Sequence, residues 1–472
     1  MRSRLVKNYL YNVIYQALVF LAPLITTPYL ARVLGAYYLG KYSYVNSSTS
    51  IITTIGLIGL YNYGIRQIAY CPANKEINII FWEIMVLRFV LLIPCLVIYI
   101  AFAFISNSLT LYMLYILWVL AVYVDVSWLY IGVEDMKPAV TKNILAKLFC
   151  IVGIFIFVQN KDDLWKYVLL VAVATFIANG SLWLTLGEYI GKPQIKIINL
   201  KKHIVGGTQL FLPQVATTLH LNISKIMLNW LADSSQVSFY DIAEKFVSIP
   251  LAFITVLGTV MMPRIASQFA NYDNPKTESL LNQALDYSMF MAIPMMFGIV
   301  GIASNLIPWY LGTEFTPCIF AIYYMSIMII LNSLASISGN QYFTATNQVH
   351  ILIKAYVAAV IANVSINIIL IPKFGYAGAT IAMLISSLIS VSIQYIYLKK
   401  QIKISIIKIV FLKYLLFSII MAGTIYAIGY WHNPSIITTL LQVTGGGVIY
   451  LLILIITQDN LLKSVFKKIF PS

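Results

Sequence analysis

Hydrophobic residues run along this chain in long, nearly unbroken stretches separated by short polar breaks. A bilayer crossing takes about 20 apolar residues. Stretches of that order fall at 10–34, 43–65, 79–105, 109–132, 139–158, 164–187, 207–230, 236–262, 281–308, 317–339, 350–371, 376–398, 409–429 and 435–456. Their length and continuity predict helices. In hydrocarbon the backbone must satisfy its own hydrogen bonds, and a barrel would need short strands of alternating polarity. The pattern therefore predicts an all-α polytopic membrane protein with about fourteen transmembrane helices. The longest hydrophilic loop, from about Glu188 to His203, separates the sixth and seventh stretches. It divides the chain into an expected six-helix lobe (1–190), a cytoplasmic linker (191–206) and a second six-helix lobe (207–400). Two further helices and a cytoplasmic tail follow (401–472).

Composition agrees with the pattern. Of 472 residues, 60% are hydrophobic and 10% charged, where a soluble domain carries about 25%. Mean hydropathy is +0.86. Such a chain could not cover a soluble surface, which excludes a soluble enzyme, a nucleic-acid binder and a disordered protein. The formal charge of +15 reads as topology rather than as an affinity for nucleic acid. With the N-terminus in the cytoplasm, 22 of the 31 Lys and Arg fall in cytoplasmic segments and 4 in outer loops. That bias places both termini in the cytoplasm. The basic start at 1–7 is followed by an apolar run through Pro23 and Pro28 with no small-residue cleavage site, so it reads as a retained first helix.

The motifs of enzymes are missing. No P-loop, G-x-S-x-G or H-E-x-x-H occurs, so neither ATP hydrolysis nor these hydrolytic sites are expected. Asp162 and Asp163 lie in an outer loop too short to build an active site. Cys71, Cys95, Cys150 and Cys318 show no C-x-x-C spacing, and the four histidines are scattered. The cysteines read as apolar filler, and no metal or cofactor is expected.

One internal match stands out. Tyr42 and Arg66 ("RQIA") are 24 residues apart, as are Tyr240 and Arg264 ("RIAS"). Each pair brackets a glycine-interrupted apolar run, and six helices separate them, as in a parallel repeat.

Charges at bilayer depth usually face a cavity or a partner. Arg32 follows Pro23 and Pro28 and either lines a polar cavity or snorkels to the outer interface. Arg66 and Arg264 sit at cytoplasmic helix ends, as topology signals or as paired guanidinium forks for a diphosphate. Arg88 lies five residues after Glu83, too far round a helix for a good local pair, so its partner is expected on another helix or in a cavity. Asp241 and Lys245 are spaced i, i+4 as a local ion pair or a site, with Glu244 beside them. Lys225 has no acid one turn away and is expected in a cavity. Asp125 either pairs with Lys147 or carries a coupling proton.

The sequence resembles the polysaccharide repeat-unit flippases, relatives of the multidrug and lipid II exporters. The likeness is carried by "NVIYQALVFLAPLITTPYLARVLGAYYLGKYSY" (12–44), "GLYNYGIRQIA" (59–69), "DVSWLYIGVEDMK" (125–137), "VSFYDIAEKFVSIPLAFITVLGTVMMPRIAS" (237–267) and "NIILIPKFGYAGATIA" (367–382). This resemblance implies a two-lobed helical bundle around a basic central cavity, alternating between inward-open and outward-open states. It implies an undecaprenyl-diphosphate-linked oligosaccharide as cargo, moved from the cytoplasmic to the outer leaflet of a bacterial plasma membrane. Membrane lipids and the polysaccharide polymerase and chain-length machinery are the implied partners. By motif position the family's cavity arginines match Arg32, Arg66 and Arg264. The chain departs from the family at Ser224, where an acid is frequent before Lys225, and at Ser238, where glycine is common. The expected cargo contacts are thus Arg32, Arg66, Arg88, Lys225, Lys245 and Arg264, with Asp125, Asp241 and Glu244 for ion coupling. An ion-coupled drug exporter of the same superfamily is the alternative.

Overall fold

The structure is a computed structural model that describes residues 2–71, 74–194, 200–270, 274–404 and 409–463. Among these residues every regular element is helical. Ten helical segments are long and apolar enough to cross a membrane by length and composition. Four further long helical stretches, at 2–34, 36–56 (continued after a break by Leu60–Ala69), Leu200–Leu231 and Ser234–Ala270, are consistent with the fourteen expected from the sequence. The chain is a multi-pass, all-helical membrane protein. It divides into two compact units, Met1–Asn229 and Trp230–Ser472.

The first unit begins with α1 (Arg2–Gly56), which runs on through Pro23 and Pro28 and turns at Gly35, where φ is 75°. Glycine alone takes that conformation without cost. The second half of α1 carries a hydroxyl face. Ser48, Thr49 and Thr53 are buried and donate back to carbonyls one turn earlier, so these three hydroxyls are satisfied within the helix. A second break follows at Ile58 (φ 48°) and Gly59 (φ 72°) before α2 (Leu60–Ala69). Positive φ at a β-branched residue is strained and needs support from its neighbours. Support comes from the start of α8 (Leu200–Leu231). A Cβ at Gly59 would lie 2.5 Å from the carbonyl oxygen of Gly207, so backbone meets backbone there.

Helices α3 (Asn74–Ile105), α4 (Leu109–Val124), α5 (Ser127–Gly132), α6 (Lys137–Phe157) and α7 (Leu164–Ser181) complete this unit. Its core is rich in tyrosine. Tyr99, Tyr112 and Tyr115 are fully buried and place their hydroxyls on the Tyr112 carbonyl (2.8 Å), the Ser48 hydroxyl (2.5 Å) and Asn46 Oδ1 (2.8 Å). Sequence composition suggests interfacial belt and packing for such residues; here part of the tyrosine content is core whose polar tips are satisfied internally.

The second unit contains α9 (Ser234–Ala270), α10 (Asn274–Tyr310), α11 (Cys318–Met325), α12 (Ile327–Ala335), α13 (Val349–Phe374), α14 (Tyr376–Lys399), α15 (Ile409–Trp431) and α16 (Ile436–Ile456). A π-helical turn, Ser336–Phe343, extends α12. The last two helices pack on α10. Trp309 donates to Thr439 Oγ1 (2.8 Å), Asn305 to the Gly429 carbonyl (3.1 Å) and Tyr450 to the Phe290 carbonyl (3.1 Å). All four cysteines are free thiols.

Beyond α16, Asp459 ties the turn at Leu461 and Leu462 to α15. Its carboxylate accepts the Lys413 ammonium (2.7 Å), the Tyr414 hydroxyl and the backbone N–H groups of Leu461 (2.9 Å) and Leu462 (3.0 Å). Burial pushes this carboxyl up, but Lys413 and the backbone donors outweigh it and hold the group below the ordinary carboxylate range. A carboxyl depressed on folding stabilises above its unfolded value, near 4, and loses that contribution as pH falls through the lower folded value. Acidification should therefore loosen the Leu461–Leu462 turn. Asp459→Asn should loosen it already at neutral pH, raising amide exchange there about twofold to tenfold. Unchanged exchange in the variant would show that the carboxylate charge adds nothing.

Candidate functional site

Within the first unit the structure separates the predicted basic residues by environment. Arg32 is exposed on α1, one turn before Gly35. Arg66 is exposed in the last turn of α2, with its guanidinium 5.6 Å from the Tyr70 ring centroid. That distance suits a weak cation–π contact and leaves most of the fork open. Lys225 is buried in α8, at 9% exposure, next to the fully buried Ser224. Burying an ammonium at this depth is costly, which marks the position as one under constraint.

Arg88 and Asp125 are brought together at a break in one span. The span 109–132 is interrupted: α4 stops at Val124 and α5 starts at Ser127. The stop needs neither proline nor glycine. Asp125 accepts the Ser127 N–H on Oδ1 (2.8 Å) and the Ser127 hydroxyl on Oδ2 (3.0 Å), a local turn that competes with helix. A helix that ends within a membrane exposes its last carbonyls. Side chains from two other helical segments meet them. Arg88, 0% exposed, donates from Nη1 to the Asp125 carbonyl (2.7 Å) and from Nη2 to the Val122 carbonyl (2.5 Å). Asn179 donates to the Ala121 carbonyl (2.9 Å) and the Trp183 indole to the Val124 carbonyl (2.8 Å). The cation also faces the negative end of the helix dipole. The break is tied to α2 through Tyr61, whose hydroxyl lies 3.0 Å from Ser127 Oγ, and through Trp128, whose ring packs on Gly64. Lys147, the partner expected for Asp125 from the sequence, is half-buried on α6.

In the second unit Asp241 and Lys245 form the ion pair that their spacing predicts, at 2.7 Å. Asp241 is largely buried and the Lys245 side chain is half-exposed. Glu244 is partly buried on the same helix. Arg264 lies on α9, with its side chain outside the described residues. Residues 195–199 of the expected linker are also outside them.

One cluster escapes sequence reading. Glu83 of α3 meets His203 of α8, and His203 meets Tyr63 of α2. Their separations of 120 and 140 residues leave no spacing to notice. Glu83 is visible as an intramembrane acid and His203 as a histidine at the end of a hydrophilic loop, but nothing local joins them.

Comparison with known proteins follows from this architecture. The chain is 22% identical over 409 residues to an Escherichia coli (strain K12) protein named as a candidate O-antigen transporter, covering 83% of this chain and 96% of that one. Among solved structures, the lipid II flippase MurJ in an inward closed conformation is similar with a TM-score of 0.73 at 16% identity, over 97% of this chain and 100% of that one. An inward-facing multidrug resistance MATE family transporter of the MOP superfamily matches with a TM-score of 0.63 at 15% identity, over 82% and 94%. These structures establish the fold. The profile of the family described as polysaccharide biosynthesis protein matches residues 5–269, more than half of the chain, and the chain belongs to that family.

Proposed function

We propose that this protein is a flippase. It moves polyprenyl-diphosphate-linked oligosaccharide repeat units, carried on undecaprenyl, from the cytoplasmic to the outer leaflet of a bacterial plasma membrane by alternating access. The observation that carries this reading is the match of more than half the chain to the polysaccharide biosynthesis family. A diphosphate cannot cross hydrocarbon bare, so its path must be wet and basic. The exposed guanidinium groups of Arg32 and Arg66 and the buried ammonium of Lys225 are the groups we assign to that headgroup. Lys245 and Arg264 are further candidates for cargo contact, and Asp241 and Glu244 for ion coupling. Arg88 and Asp125 serve the break in α4–α5 instead. The chain performs no covalent chemistry on its cargo, and both termini lie in the cytoplasm. Polymerase and chain-length proteins would take the exported unit onward.

The likeness to a MATE transporter supports a second reading, an ion-coupled drug exporter. Deletion in the source cell separates the two. The flippase reading expects loss of surface polysaccharide and accumulation of lipid-linked repeat units inside, with drug sensitivity unchanged. Raised drug sensitivity with normal surface glycan would favour the exporter.

A further inference from the structure

Tyr63, Glu83 and His203 are 4%, 1% and 3% exposed, so three titratable groups share one buried spot where α2, α3 and α8 meet. His203 Nε2 lies 2.8 Å from Glu83 Oε2, and Nδ1 lies 3.0 Å from the Tyr63 hydroxyl. The cluster borders a cavity of about 310 Å³ lined by Gln67, Glu76, Glu83, Lys202 and His203 beside two isoleucines. The charged groups facing it are Arg66 on α2, Glu76 on α3 and Lys202 on α8. Among the described residues no three His, Cys, Asp or Glu converge as metal ligands. The chemistry on offer is that of a proton.

The hydrogen bonds have a direction. With a neutral ring, Nε2–H donates to the Glu83 carboxylate and the Tyr63 O–H donates to Nδ1. A proton added at Nδ1 gives an imidazolium facing a carboxylate. Nδ1–H then donates to the Tyr63 oxygen, and the Tyr63 proton must turn to another acceptor. The ring that carries this hydroxyl is held against α8: a Cβ at Gly206 would lie 2.2 Å from Tyr63 Cε2. The next residue, Gly207, abuts the strained break at Ile58 and Gly59.

We propose that Tyr63, His203 and Glu83 form a proton-binding site, filled from the adjoining cavity, whose occupancy sets how firmly the start of α8 is held against the break between α1 and α2. The test is solid-state NMR of the full chain in liposomes with 15N-labelled histidine, the His203 signal identified by its loss in His203→Gln. Protonation is read in the protein itself with no cargo present, so the result is independent of what is transported. The wild-type ring should pass from a single proton on Nε2 to double protonation as pH is lowered. Glu83→Gln should displace that change toward acid, since the carboxylate that stabilises the imidazolium is gone, and Glu83→Asp should restore it. Amide exchange over residues 58–63, corrected for its intrinsic pH dependence, should change over the same interval in wild type and Glu83→Asp. A ring that keeps one protonation state throughout, or a Glu83→Gln curve that coincides with wild type, would overturn the site. Exchange that ignores the titration would overturn its link to the break.

Discussion

Arg88→Met should yield little folded protein. The guanidinium makes two charge-assisted hydrogen bonds, to the carbonyls of Val122 and Asp125, at 2.5 and 2.7 Å. Each is worth about 1.5–3 kcal/mol when lost from a buried site, or about 3–6 kcal/mol for the pair. That is comparable with the whole stability of many domains, about 5–15 kcal/mol. Methionine fills much of the volume, so the loss reports the orphaned carbonyls rather than a cavity. Arg88→Lys should fall between, because an ammonium cannot reproduce a planar fork. Thermal melting and the monodisperse fraction in detergent measure both variants. Wild-type melting of Arg88→Met would mean that the broken helix end finds other donors and that Arg88 is available for cargo.

The same residue shows how far a sequence of this kind can be read. Most apolar runs became helices with ends close to those expected: 376–398 is Tyr376–Lys399, and 435–456 is Ile436–Ile456. Hydrocarbon leaves the backbone little choice, so hydropathy reports the element directly. Breaks inside spans are less legible. The one at Asp125 depends on donors from Arg88, Asn179 and Trp183, which hydropathy does not reveal, although the Asp-x-Ser turn pattern is present. The i, i+4 spacing of Asp241 and Lys245 gave the correct pair because both ends lie on one helix. The spacing between Glu83 and Arg88 ruled out a local pair but did not identify His203 or the α4 carbonyls as their partners. Those contacts depend on how α2, α3, α4 and α8 pack, which no single helix encodes.

The second large effect should fall on transport rather than folding. Arg66→Ala and Lys225→Ala should each slow lipid-linked glycan export about tenfold to a hundredfold. This is the cost of one charge-assisted contact to a diphosphate, about 1.5–3 kcal/mol. Arg66 is exposed at the end of α2, so its truncation leaves no hole and melting should be unchanged. Arg32→Ala, also at an exposed position, should behave alike. Arg66→Lys should recover only part of the rate, since a point charge replaces a fork. Lys225 is buried, and Lys225→Met separates charge from volume at that position. Normal export from all three alanine variants would remove these residues from the cargo path.

The most direct measurement is leaflet transfer in proteoliposomes. Purified protein is reconstituted with a fluorescent undecaprenyl-diphosphate oligosaccharide placed in one leaflet, and its appearance in the other is followed with a membrane-impermeant quencher, with and without an ion gradient. Transfer by the wild-type protein, slowed in Arg66→Ala and absent from protein-free vesicles, is the predicted result. Transfer no faster than in empty liposomes under every gradient, from protein that melts normally, would contradict it.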